Sequence, residues 1–97
     1  MALDSKVENA VVALSSTANF ATFETGVKEV HLIATADCYI SFDETVPTTS
    51  TGFLVKANTD INPFIFTGGG PTRVWGIGTS GNLHVLVIRW EIKMVSS

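Results

Sequence analysis

The chain has 97 residues, six of them Lys or Arg and nine Asp or Glu, for a formal net charge of −3. That length allows one domain and excludes a TIM barrel or a complete Rossmann domain, and six scattered cations do not make the clustered basic face that nucleic-acid phosphates require. Apolar residues make up 45% of the chain and charged residues only 15%, below the roughly 25% usual in soluble domains, so Thr and Ser stand in for the missing charge.

The start Met1-Ala2-Leu3-Asp4-Ser5-Lys6 has neither a basic n-region nor an apolar h-region and does not read as a secretory signal, so the chain is expected to stay in the compartment where it is made. Residues 1–9 read as an N-terminal arm. Next, Ser5-x-x-Glu8 has the form of a capping box ahead of Val7, Ala10, Val11 and Leu14 at helical spacing, which admits a short helix. The β-branched pair Val11-Val12, Asn9 and the lack of a C-cap glycine after Ser15-Ser16-Thr17 favour a strand over 10–15 instead.

From about Asn19 onward, short apolar segments of period two predict strands at 18–25, 28–35, 37–43, 52–57, 61–67, 72–78 and 82–92. The breaks carry turn chemistry: Thr25-Gly26, Ala36-Asp37, Pro47 with Thr48-Thr49-Ser50-Thr51, Asn58-Thr59-Asp60, Gly68-Gly69-Gly70-Pro71 and Thr79-Ser80-Gly81-Asn82. Seven to eight short strands without room for crossover helices describe an all-β chain, a single antiparallel β-sandwich of jelly-roll-like type over residues 1–97. Its expected core is Phe20 or Phe23, Leu32, Ile40, Phe42, Phe53, Phe64, Val74, Leu83 and Val85.

The last strand is unlike the others. Leu83, Val85 and Val87 share one side while His84, Leu86, Ile88, Trp90 and Ile92 share the other, so both faces are apolar. Antiparallel sandwiches normally leave one face of a strand wet, so this strand needs a cover, and another copy of the chain is the expected one. The predicted interface comprises Leu86, Ile88, Trp90 and Ile92 with Val11 and Leu14 of the N-terminal segment. No apolar run approaches the roughly 18 residues of a membrane span, the longest being Leu83 to Ile88. Neither a membrane nor a nucleic acid is an expected partner.

Catalytic patterns fail on inspection. Gly76-Ile77-Gly78-Thr79-Ser80-Gly81 matches G-x-G-x-x-G, yet it leads into a β-rich run, whereas a dinucleotide loop must lead into a helix whose N–H groups hold the pyrophosphate. Gly68-Gly69-Gly70 lacks the Lys-Ser/Thr of a phosphate loop. His31 and His84 sit within strands at no metal-ligand or nucleophile spacing relative to Cys38, the only cysteine, which also leaves no partner for an intramolecular disulfide. Asp37, Asp43 and Glu44 are carboxylates at strand ends, where solvated polar groups belong. Tyr39 and Trp75 are the aromatics on which a sugar ring would stack, set against packing in a core or interface. No enzyme, cofactor or metal is expected.

The segments Val30 to Phe42 (VHLIATADCYISF), Gly52 to Asn58 (GFLVKAN) and Trp75 to Val85 (WGIGTSGNLHV) together resemble a plan recurring in small virion proteins of tailed bacteriophages. There, an A-x-x-D-C-Y-I-x-F strand, an F-L-x-A-N/G strand and a terminal G-x-L-H-V strand build one β-sandwich. The resemblance covers residues 28 to 88. It implies a structural component of the particle, a capsid decoration (cement) protein or a head or tail accessory or connector protein, often a homotrimer seated on the major capsid protein or another virion protein. It would be made in the host cytoplasm and located in the virion. The alternative is a carbohydrate-binding β-sandwich module of a tail or enzyme, and a remoter one a small hydrolase.

Overall fold

In a computed structural model, the backbone is described for residues 2–59, 61–67 and 70–93, and side chains for the same residues less 2–5 and 91–93. Every regular element among them is a strand: β1 (Ala2–Ala13), β2 (Asn19–Thr22), β3 (Val27–Ala34), β4 (Cys38–Phe42), β5 (Phe53–Val55), β6 (Phe64–Ile65), β7 (Arg73–Gly78) and β8 (Asn82–Lys93). They form two antiparallel sheets of four, sheet A in the order β1-β8-β3-β6 and sheet B in the order β2-β7-β4-β5. The pairings nest: first with last (β1 with β8), then β2 with β7, β3 with β6 and β4 with β5. Of the connections, only the one from β4 to β5 stays within a sheet.

The alternation along each strand explains the core. In β8, Leu83, Val85 and Val87 point inward and are buried; in β3, Val30, Leu32 and Ala34 meet them in register. Val12 of β1 completes this layer, and Cys38, Ile40, Val55 and Val74 answer it from sheet B. Small β-branched side chains dominate, as suits two pleated surfaces that must interdigitate at about 10 Å. Phe42 and Phe64 pack at the margin of the core, edge to face at 5.2 Å.

A strand lies at every expected place, three of them one to three residues shorter than expected and two cut back further, to Asn19–Thr22 and Phe64–Ile65, and three expectations are corrected. Residues 2–9 are not an arm: β1 pairs with β8 over its whole length, from Ala2 opposite Lys93 to Ala13 opposite Asn82, and the stretch has no helix. Helical spacing there coincides with a strand whose alternate residues Ala10 and Val12 face the core. Phe53 lies on edge strand β5 and is 55% exposed, touching only the rim of the core through Phe64 at 5.5 Å. Between Phe20 and Phe23 the core takes Phe23, because Phe20 lies opposite Trp75 on the outer face of sheet B. Finally, Leu14 is buried, since the chain crosses there from sheet A to sheet B and carries the side chain inward.

That crossing also accounts for the glycines of the G-x-G-x-x-G look-alike. Gly76 faces the core in β7, where a Cβ would stand 2.9 Å from Leu14 Cδ2, so its missing side chain is the slot that Leu14 fills. Gly81 sits at the passage from β7 to β8 with φ +88°, and a Cβ there would lie 2.7 Å from Thr35 Oγ1. That hydroxyl accepts a hydrogen bond from Asn82 N at 2.9 Å. The passage is a crossover between sheets and not the hairpin turn that its glycine suggests. Gly81→Ala is expected to lower stability by roughly 1 to 3 kcal/mol in denaturant titration, through left-handed strain and displacement of Thr35. A loss below the error of the titration would show that the turn relaxes freely.

Candidate interaction face

The outer face of sheet A is built by the residues between the core positions. In register across β1, β8 and β3 it reads Val11–His84–Ile33, Asn9–Leu86–His31 and Val7–Ile88–Glu29, with Ile65 of β6 beyond Glu29. Trp90 follows on β8, opposite Ser5. Val7 and Val11 are 53% and 58% exposed, Ile33, Ile65 and Trp90 are also open to solvent, and Leu86 and Ile88 are half-buried. Isolated exposed apolar residues are ordinary, but this is a contiguous set across three strands.

The face is not flat. Asn9, His31, Ile33, Ile61, His84 and Leu86 line a depression of about 500 Å³. His31 Nε2 is buried and without a hydrogen bond, although Glu29 Oε1 stands 3.4 Å away, out of line for one. At the Trp90 end, Lys28 Nζ lies 3.7 Å from the indole centroid, a cation–π contact that holds one ring face.

Beneath this end the inward stripe of β8 finishes on a charge. Arg89 follows Leu83, Val85 and Val87, and its side chain is only 6% exposed. Its Nε and Nη2 both lie 3.0 Å from Glu8 Oε1 of β1, and Nη2 lies 2.9 Å from Glu24 Oε2. Apolar periodicity along 82–92 pointed to the strand but gave no warning of this buried guanidinium, whose carboxylate partners come from segments more than sixty residues away.

The predicted interface residues therefore separate. Val11, Leu86, Ile88 and Trp90 share the outer face of sheet A; Leu14 is in the core; the side chain of Ile92 lies outside the described residues, though its backbone pairs with Leu3. Val7 and Ile33, which the period of two places beside them, belong to the same face and were missed because their strands had no assigned neighbours.

On the opposite side of the molecule, Tyr39 and Trp75 share the outer face of sheet B as diagonal neighbours, since Tyr39 faces Ile77 and Trp75 faces Ser41. Trp75 is already engaged: its ring lies 4.6 Å from that of Phe20, Arg73 lies over both rings, and its Nε1 donates to Asp43 O at 2.6 Å. Asp43, Glu44, Thr45, Thr72 and Arg73 line a polar hollow of about 410 Å³ nearby.

The remaining candidates do not assemble. Asp37 and Asp43 flank opposite ends of β4, and each serves the backbone: Asp37 Oδ1 accepts from Ala57 N at 2.8 Å and Asp43 Oδ1 from Thr72 N at 2.9 Å. The Ala57 hydrogen bond, opposed by desolvation and helped by the Lys56 charge, holds the Asp37 carboxyl below its ordinary pKa. Cys38 is buried in sheet B, and burial with the neighbouring Asp37 charge pushes its thiol up to about 11, which keeps it protonated and unreactive. It is on the far side of the core from both histidines. Among the described residues no three metal-binding side chains converge.

Compared with protein-family models, with curated proteins and with solved structures, the chain matches none.

Proposed function

We propose that this chain is a non-enzymatic structural subunit of a virus particle, a decoration protein of a tailed-phage capsid that self-associates and stabilises the assembled shell. The observation that carries the reading is the contiguous apolar outer face of sheet A, formed by Val7, Val11, Ile33, Leu86, Ile88 and Trp90, on a sheet whose other face is already spent on the core. Such a surface suits docking, and attachment would add stability to a small unstapled domain by mass action. The nested strand pairing supports the jelly-roll reading of the sandwich, an architecture used by viral capsid and lectin domains alike. The phage origin, the virion location and the homotrimer come from the resemblance of residues 28 to 88.

Because few charges lie on this face, attachment should depend little on salt: Debye screening weakens ion pairs and leaves apolar burial nearly untouched. Purified chain mixed with particles that lack it, at about 0.05 M and 1 M salt, is expected to bind at both and to raise the temperature at which the shells open. Absence of binding at both salts, or binding with no change in shell opening, overturns the reading. Weight would then pass to sugar binding, which the exposed Phe20 beside the polar hollow favours, and a glycan titration of Trp fluorescence would register it.

A further inference from the structure

The four sheet edges are unequal. β6, β2 and β5 are only two, four and three residues long, which is one of the ways proteins blunt an edge. β1 is twelve residues long, has no proline and keeps an unbroken register, and among the described residues no strand lies along its outer side. It is the one edge left able to accept a strand.

The ladder fixes which groups that edge presents. Leu14 N donates to Gly81 O at 2.9 Å, one step past the Ala13–Asn82 pair, while Trp90 N and Asn82 O of β8 bond Gly26 O and Thr35 N on the β3 side. Even residues of β8 thus turn to β3 and odd ones to β1. By the alternation of an antiparallel ladder, even residues of β1 spend their N–H and C=O on β8, and Leu3, Ser5, Val7, Asn9 and Val11 present theirs outward. Val7, Asn9 and Val11 also carry their side chains on the apolar face.

We infer that β1 pairs antiparallel with β1 of a second copy about a twofold axis at Val7, fusing the two A sheets into one of eight strands. Charge and the length of the ladder select this register, since an axis at Ser5 would also set Lys6 opposite an acid, Asp4, but would leave Ala10 to Ala13 unpaired. With Val7 opposite Val7 of the second copy, Lys6 stands opposite Glu8 in both directions, Asn9 opposite Ser5, and Val11 opposite Leu3. An axis at Lys6 or at Glu8 would place like charges directly opposite each other. An axis at Asn9 would set Lys6 opposite Val12 and run the ladder into Ala13, where the chain leaves for sheet B. Lys6 is exposed, and Glu8 gives only its Oε1 to Arg89, so the opposing pair is free to form. About ten backbone hydrogen bonds would close the edge, and Val7 and Val11 would become the middle of a doubled apolar face. The arrangement is isologous, puts a dimer in place of the homotrimer that the resemblance implies, and depends on the edge alone, not on the particle reading.

The test uses the purified chain without particles: light scattering over micromolar to millimolar concentration, with amide hydrogen exchange read residue by residue. The expected results are twice the 10.4 kDa chain mass and concentration-dependent protection of the Val7, Asn9 and Val11 amides. Val7→Pro removes an outward N–H and spares the β8 ladder, so it should give a folded monomer. Lys6→Glu should weaken the dimer about tenfold. A monomer throughout, a trimer, or a dimer in which these three amides exchange freely overturns the inference, and a dimer unaffected by Lys6→Glu overturns the register.

Discussion

Replacing Ile40 with alanine should destabilise the protein by roughly 2 to 5 kcal/mol, while the same truncation at Phe53 should cost no more than about 1 kcal/mol. Ile40 is 1% exposed and faces the β8 side of the core from the middle of sheet B, so its loss leaves a cavity that close-packed valines cannot collapse to fill. Phe53 is the larger side chain, but water already covers more than half of it, and truncation surrenders little beyond the edge-to-face contact with Phe64. Urea titration of the two variants decides the matter. Phe53 pairs with Ile40 and so shares the inner face of sheet B, and equal losses would mean that its ring is covered there as fully as Ile40 despite its place on the edge strand.

A second pair of variants should behave in the opposite way to a count of lost contacts. Glu8→Ala removes one carboxylate from Arg89 and is expected to cost about 2 to 3 kcal/mol, because the guanidinium stays buried with only the solvent-facing Glu24 to answer it. Arg89→Met removes more interactions, yet should fall within about 1 kcal/mol of the parent. A methionine continues the apolar stripe of Leu83, Val85 and Val87, and both freed carboxylates can reach water. Chemical denaturation of the two proteins side by side is the check, and an Arg89→Met loss as large as that of Glu8→Ala would contradict it.

These cases show what could be seen in the chain beforehand. Period-two alternation in β3, β4 and β8 depends only on neighbours in sequence, and it located the strands and most inward residues correctly. Turn chemistry located the breaks too, although those on either side of β6 (Phe64–Ile65) are wider than the turn residues indicate. Neither says whether the chain, on leaving a turn, returns to the same sheet or crosses to the other, because Gly81 at a crossover looks like Gly81 in a hairpin. The fate of Leu14 follows from such a crossing, and Phe53 from lying on an edge; both are properties of partners far away in sequence. The same holds at the outer face. Val11 and the even residues of β8 were recognisable as surplus apolar groups, but the continuous surface exists only once β1, β8 and β3 lie side by side, and the Arg89 pair only once Glu8 and Glu24 have arrived.

The nested pairing also sets an order on folding during synthesis. β7 joins β2 to β4 and β8 joins β1 to β3, so the strand that unites each sheet follows all the strands it unites. While a ribosome is still adding residues 73–93, only β4 with β5 and β3 with β6 have their partners, and β1 is a strand with none. The body of each sheet must therefore be completed after most of the chain has emerged, by contacts of high sequence separation that form slowly. Throughout that interval the valine-rich inner faces that later meet as a core remain open to chaperones and to neighbouring nascent chains.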